Sequence, residues 1–178
     1  MEHFVGVFEL KDKARITDPC YDKKIGDYVA VIDMIPGKYI SYIDTINDNI
    51  MGERVSRLSI YNLEYHTYDN DILISSNICV DSGQAGIFQE DYYQEHKANV
   101  DTEDDFYGTC CRETTEHFAG IISNIGVVSQ SGFGDGSYEA YGYKIDGKYV
   151  QVSIVFIPEE EDYEEEYKEE YKERIAND

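Results

Sequence analysis

The sequence predicts a mainly β protein, an antiparallel β-sandwich or partly open barrel with one or two short helices and an acidic C-terminal helix. Three observations carry this prediction. Short apolar runs, many of them alternating, are separated by turns rich in glycine, proline and asparagine. Tyrosine dominates the aromatics, with 17 Tyr against 7 Phe and no Trp, and tyrosine suits half-buried strand surfaces. The connections between runs are too short for repeated βαβ crossovers. With 178 residues of which 42% are hydrophobic, the chain can bury a real core despite its charge. Residues 1–157 read as a single β-rich domain and 158–178 as an acidic helix or tail.

Taken in order, His3 to Leu10 reads as a first strand. Asp12 to Asp27 is polar, with Asp18-Pro19 as a turn signal, and reads as a loop. Tyr28 to Met34 has few polar residues and predicts a strand buried on both faces. Pro36-Gly37 then turns the chain, and Lys38 to Thr45 alternates, so the two runs are expected to pair as a hairpin. Asn47 to Gly52 turns again. Arg54 to Tyr65 alternates weakly and is assigned to strand because Ser, Tyr and Asn outnumber good helix formers. Tyr68 to Asp71 is a turn and Ile72 to Val80 a strand. Phe88 to Lys97 predicts a short helix, and Ala98 to Asp105 an exposed acidic loop. Phe106 to Phe118 is ambiguous: Phe106, Cys110 and Thr114 share a helical face, but two threonines weaken a helix. Ala119 to Val128 predicts one apolar strand. Tyr138 to Ile145 and Lys148 to Ile157 flank Asp146-Gly147, the strongest hairpin signal in the chain, with Val150, Val152, Ile154 and Phe156 on one face. After Pro158 come eleven acids and three bases, −8 of the net −22. Tyr163, Tyr167, Tyr171 and Ile175 would form one stripe of a helix there.

The charge balance excludes partners as much as it suggests them. Thirty-seven acids against 15 bases leave no basic cluster for a phosphate backbone, so neither nucleic acid nor an anionic membrane surface is expected. The Met1 segment lacks the charged start and long apolar core of a signal peptide, and no run is long and apolar enough to span a bilayer. Cys20, Cys79, Cys110 and Cys111 show no metal-binding spacing, and a cytoplasmic protein with reduced thiols is expected.

Two glycine-rich stretches stand out as candidate site loops. Ser131-Gly132-Phe133-Gly134-Asp135-Gly136-Ser137-Tyr138 leads into a strand-like run. Val80-Asp81-Ser82-Gly83-Gln84-Ala85-Gly86 puts an acid among small residues directly after another. Such loops can nest an anion in consecutive backbone N–H groups, but Asp135 opposes that and the pattern is neither a P-loop nor a dinucleotide motif. Two readings stay open: tight turn geometry, or a polar lip presenting Asp81, Ser82, Gln84, Ser131, Asp135, Ser137 and Tyr138 to a ligand, with Asp18 and Cys20 from the earlier turn. If Asp18, Asp81 and Asp135 converge, their oxygens could hold a hard divalent cation. A thiol of Cys110 or Cys111 beside His117 is the alternative nucleophile arrangement, against a bland reading as buried structural cysteine.

Several stretches resemble, in order, a family of small bacterial and phage proteins known only as a domain of unknown function: T-D-P-C-Y (17–21), I-P-G-K-Y (35–39), G-E-R-V (52–55), V-D-S-G-Q-A-G-I-F (80–88), F-Y-G-T-C-C (106–111) and G-V-V-S-Q-S-G-F-G-D-G-S-Y (126–138), together with the final strand. The resemblance runs from about residue 14 to 157 and carries no established activity. It implies one intracellular domain of bacterial or phage origin. Reactive side chains within the matched stretches are Asp18, Cys20, Asp81, Gln84, Cys110, Cys111 and Asp135.

The expected function is therefore a non-enzymatic binding protein whose glycine loops line a pocket for a small polar ligand. A nucleotide-like signal, sequestered or sensed in a counter-defence role, fits the phage resemblance. Arg15, Lys23, Lys24, Arg54, Arg57 and Arg112 are the candidate cationic contacts. No cofactor is implied. The alternatives are a metal- or cysteine-dependent hydrolase, and an acidic module that inhibits a basic protein partner through its C-terminal helix. Self-association is left open.

Overall fold

A computed structural model of the chain describes residues 1–66, 68, 71–94 and 105–158. The acidic helix predicted after Pro158, and most of the acidic loop from Ala98, lie outside the described residues. Among those described, the strands are β1 Glu2–Leu10, β2 Lys13–Thr17, β3 Ala30–Asp33, β4 Gly37–Asp48, β5 Gly52–Asn62, β6 Ile72–Val80, β7 Gln84–Gln89, β8 Ala119–Ile122, β9 Gly126–Gln130, β10 Gly136–Ile145 and β11 Lys148–Val155, with one α-helix, α1, at Phe106–His117. They form a six-stranded sheet in the order β1-β4-β5-β11-β10-β6 and a five-stranded sheet in the order β3-β2-β7-β9-β8. All ladder pairs are antiparallel and neither sheet closes into a barrel, so the fold is the mainly β sandwich that the alternation predicts.

The core lies between the sheets. Leu58 and Ile60 of β5, Val152 and Ile154 of β11, and Ile78 and Val80 of β6 meet Ile16 of β2, Ile87 of β7 and Val127 of β9, all essentially inaccessible to water. Each such side chain contributes about 1.5–3 kcal/mol by leaving water. The predicted face of β11 holds: Val150, Val152, Ile154 and Phe156 are all buried. The five-stranded sheet is covered on its other face too. Helix α1 packs there, and Phe106 meets Phe88 and Tyr93 edge-on, each at 5.2 Å between ring centroids.

The ambiguous stretch at Phe106 is thus a helix, started by Asp105, whose Oδ1 accepts from the Gly108 N–H at 2.6 Å. It buries the face that sequence spacing marks, Phe106, Cys110 and Thr114. The two threonines are tolerated because Thr114 turns its hydroxyl back to the Cys110 carbonyl at 3.0 Å.

Other expectations are corrected. The polar segment from Asp12 contains a buried strand, β2, concealed by its arginine. Arg15 is 5% exposed. Its guanidinium is bidentate to Glu90, at 2.7 and 3.1 Å, and also donates to the carbonyls of Ile25 and Lys23, so this charge can be buried. The run from Tyr28 yields only β3, an edge strand of alternating exposure that is not buried on both faces. It is not the hairpin partner of β4. Met34 N donates to Asp12 O at 2.7 Å and Ile35 N to Tyr149 O at 2.9 Å, so the chain passes from one sheet to the other here. Of the helix expected from Phe88 to Lys97, the described part is instead the end of β7 and a single 3-10 turn at Glu90–Tyr92, and residues 95–97 lie outside the described residues. Every residue of β7 is buried, because the core covers one face and α1 the other, and this erases the alternation that would have marked a strand. The single strand expected from Ala119 is two, β8 and β9, folded at Ser123 and Asn124, whose φ angles are 47° and 59°.

Candidate functional site

The two glycine stretches do converge, and the sandwich explains why. Residues 81–83 lead from β6 in the larger sheet to β7 in the smaller one, and residues 131–135 lead back from β9 to β10. β6 pairs with β10 and β7 with β9, so the two crossovers run side by side. Ser131 N donates to Gly83 O at 3.0 Å, and a Cβ on Gly83 would lie 4.0 Å from the Cα of Gly134. Gly83, Gly132 and Gly134 have φ of 69°, 57° and 110°, in a region that side chains disfavour.

Four of the nine predicted site residues, Asp18, Ser82, Ser131 and Tyr138, spend their side-chain polar atoms on this junction. Asp18 is wholly buried. Its Oδ1 accepts from Cys20 N at 2.7 Å and Ser82 Oγ at 2.6 Å, and its Oδ2 accepts from Asp81 N and Ser82 N, both at 2.8 Å. A carboxylate offers about four lone-pair directions, and here each faces a donor hydrogen, so none is turned to a cation. Ser131 Oγ donates to Gly134 O at 2.8 Å, while the Tyr138 hydroxyl lies 2.6 Å from that same carbonyl and 3.0 Å from Ser131 O. Gln84 points the other way: its Nε2 donates to Cys111 Sγ at 3.3 Å and its Oε1 accepts from Thr114 Oγ1 at 3.1 Å, tying β7 to α1. Cys20, Asp81, Asp135 and Ser137 remain exposed. Tyr21 donates to Asp81 at 2.7 Å, and Ser137 to Asn77.

The chemistry of the alternatives is visible in the same region. Although Cys20 is exposed as a residue, local desolvation of its thiol, reinforced by the neighbouring Asp18 carboxylate, pushes it up to about 12. Cys110 is buried, and burial raises it as well. An activated nucleophile needs the opposite shift. Among the described residues, no group of three His, Cys, Asp or Glu is arranged to hold a metal ion.

A different region has the geometry of a binding surface: the outer face of the six-stranded sheet. Register places Phe4, Tyr42, Ser59, Ser153 and Tyr141 in one row across β1, β4, β5, β11 and β10. Ile40, Tyr61, Gln151 and Tyr143 form the next. Small polar residues sit in the middle, with Ser59 and Ser153 joined at 2.9 Å, and rings stand around them. On this face lies a hollow of about 600 Å³, walled by Tyr42, Tyr61, Tyr65 and Tyr68, with Arg57, Gln151, Ser153 and the acids Glu2 and Asp71 also lining it. Gln151 fixes one wall. Its Nε2 donates to Tyr68 O at 2.9 Å and its Oε1 accepts from Tyr68 N at 3.1 Å, and the Tyr68 ring stacks on Tyr143 at 4.0 Å. Arg57 is half-buried and forms no hydrogen bond or ion pair with the described residues.

Sequence reading named Arg57 as a candidate cationic contact but passed over the rest of this face. Its signal is the alternation R-L-S-I-Y at 57–61 and Q-V-S-I-V at 151–155, which turns Arg57, Ser59 and Tyr61 outward together with Gln151 and Ser153. That these rows lie side by side depends on a register that only pairing reveals. In comparisons with models of protein families, curated proteins and solved structures, nothing matches the chain.

Proposed function

We propose that the protein is a non-enzymatic binding protein for a flat, polar, nucleotide-like small molecule, held in the tyrosine-walled hollow on the outer face of the six-stranded sheet. The observation that carries this reading is Arg57, a half-buried guanidinium without a hydrogen-bonding partner among the described residues, beside the stackable rings of Tyr42 and Tyr61. A hollow of about 600 Å³ falls within the range of small-molecule sites. Tyrosine rings offer stacking to a heterocycle, and Arg57 suits a phosphate or carbonyl oxygen. The net charge of −22 opposes a highly charged ligand, so nucleosides and mononucleotides are favoured over triphosphates.

Titration calorimetry with nucleosides and mononucleotides tests the proposal, with tyrosine fluorescence as a second readout because the chain has no Trp. Tyr61→Ala should weaken binding by roughly 5- to 150-fold, the range for losing one base stack. Arg57→Ala should weaken mononucleotides more than nucleosides. Absence of binding across the panel, or binding indifferent to both substitutions, refutes the reading.

A further inference from the structure

A second cavity, of about 600 Å³, opens on the side of the sandwich where the edge strands β1 and β8 meet. Its walls come from both sheets and from the end of α1. Val5, Ile43, Ala119 and Ile121 supply apolar surface, while Glu53, Glu113, His3, Thr45 and His117 supply the polar groups. No Lys or Arg lines it. The strands come this close because of Gly6, which follows a bulge in β1: a Cβ there would lie 2.5 Å from Ile121 Cγ1. The chain enters β8 through Phe118, whose φ of 65° and ψ of −31° are costly for a bulky residue, and Phe118 lines the cavity. Backbone strain of this kind collects where a site must be shaped.

The two carboxylates differ in how they are held. Glu53 is oriented by its surroundings: its Oε1 accepts from Thr45 Oγ1 at 2.8 Å, and His3 Nε2 lies 3.0 Å from that hydroxyl. Glu113 projects from α1 across Gly120, where a Cβ would stand only 2.7 Å from the Glu113 Cβ. It is half-buried and makes no hydrogen bond or ion pair with the described residues. A cavity of mixed apolar and polar lining that holds two acids, one of them without a hydrogen bond or ion pair among the described residues, in a chain of net charge −22, complements a cation with a hydrophobic body.

We infer that the β1/β8 cleft is a second small-molecule site, selective for compounds that join an apolar group to a protonated amine. The apolar part displaces water from Val5, Ile43 and Ile121, and the ammonium lies between Glu113 and Glu53. This inference is independent of the hollow on the outer face.

The test uses phenethylamine, with phenethyl alcohol and hydrocinnamate as neutral and anionic counterparts of similar size, followed by amide chemical shifts in NMR titrations of the full chain. Phenethylamine should give saturable shifts at residues 3–5 and 118–121. Its affinity should exceed that of the alcohol by on the order of tenfold, the usual return on a charge-assisted hydrogen bond, and the carboxylate should not bind. Glu113→Gln and Glu53→Gln should each reduce amine affinity severalfold while leaving the melting temperature near that of the parent. Tyr61→Ala, in the other site, should leave it unchanged. Equal affinity for amine and alcohol, shifts that map elsewhere, or no saturable shift at all overturns the inference. Shifts spread along the whole β1 edge and produced only by an added peptide would also count against it, since they would mark strand addition instead.

Discussion

Asp18→Asn replaces one oxygen of a wholly buried carboxylate with an amide nitrogen, and its cost can be worked out bond by bond. The carboxylate receives four donors: Cys20 N and Ser82 Oγ on one oxygen, Asp81 N and Ser82 N on the other. The amide has two orientations. With its NH2 toward Asp81 and Ser82 N–H, two backbone donors lose their acceptor and face another donor. With its NH2 toward Cys20 and the Ser82 hydroxyl, that hydroxyl can rotate to accept, so only the Cys20 N–H is stranded. The second arrangement is the cheaper one. It costs about 1–3 kcal/mol for the stranded donor, plus roughly half a kcal/mol or more for each remaining bond that changes from charged to neutral acceptor. The total is about 3 kcal/mol, which for a chain of this size lowers the melting temperature by about 6–12 °C. The assay is thermal melting by circular dichroism, with urea unfolding to confirm that the midpoint moves while the slope does not. Asp81→Asn keeps an acceptor for Tyr21 at an exposed position, and exposed Asp135 has no such role, so both should change stability by less than about 0.5 kcal/mol. A melting temperature for Asp18→Asn within about 2 °C of the parent would refute the reasoning. Equal losses at all three aspartates would also refute it, because the three would then act as one cluster.

Two further predictions concern the fold. Stability should fall in alkali: burial raises Tyr39 from 10.0 to about 12, and local desolvation beside the Asp18 carboxylate raises Cys20 from 9.0 to about 12. The folded chain holds these protons where the unfolded chain has lost them, so their contribution is complete below about pH 9 and is lost as pH rises through about 12. Melting temperatures across that window check this, and Cys20→Ser should flatten part of the decline; a constant melting temperature to pH 11 would contradict it. Gly132→Ala should cost about 2–3 kcal/mol, because φ is 57° and the new Cβ would sit 3.0 Å from both Ile157 Cγ1 and Phe156 Cβ. Gly134→Ala meets nothing within 4 Å and should cost only backbone strain. Urea midpoints compare the two, and an unchanged midpoint for Gly132→Ala would remove the close-packing argument.

The sandwich was legible wherever one face of a strand meets water, because alternation then survives in the sequence, as at Lys38 to Thr45 and in the hairpin around Asp146-Gly147. It was illegible where both faces are buried. β7 is covered by core and helix and lost its alternation, while β2 was hidden by Arg15, whose partner Glu90 stands 75 residues away. Composition marked the two glycine stretches but left open whether they meet. What the convergence is made of was not legible either: the reach of Asp18 to Asp81 and Ser82 spans more than 60 residues, and nothing local separates a carboxylate that caps backbone from one that awaits a ligand. The outer-face hollow was harder still, since tyrosines and serines look unremarkable until register sets them in rows.

The connections between sheets divide the molecule's residues by task. Residues 81–83 and 131–135 cross as one hydrogen-bonded pair, and near Met34 the chain crosses beside Asp12, with Met34 N bound to Asp12 O. At these places the backbone must turn through the sandwich edge, so its polar groups need partners that do not depend on a ladder. Asp18, Ser131 and Tyr138 supply them at the glycine pair. Side chains so engaged have little left to offer a ligand. Arg57 and Glu113 are the contrast: each is charged, half-buried and unpaired with the described residues, and each lines a cavity. Holding a charge that way costs stability unless something binds it. Substitutions at Asp18 or Gly132 should therefore lower stability with ligand affinities intact in the folded fraction. Arg57→Ala and Glu113→Gln should leave stability equal or slightly higher while affinity falls. If melting temperature and affinity moved together in all four variants, this division of tasks would fail, and the junction would have to be reconsidered as part of a site.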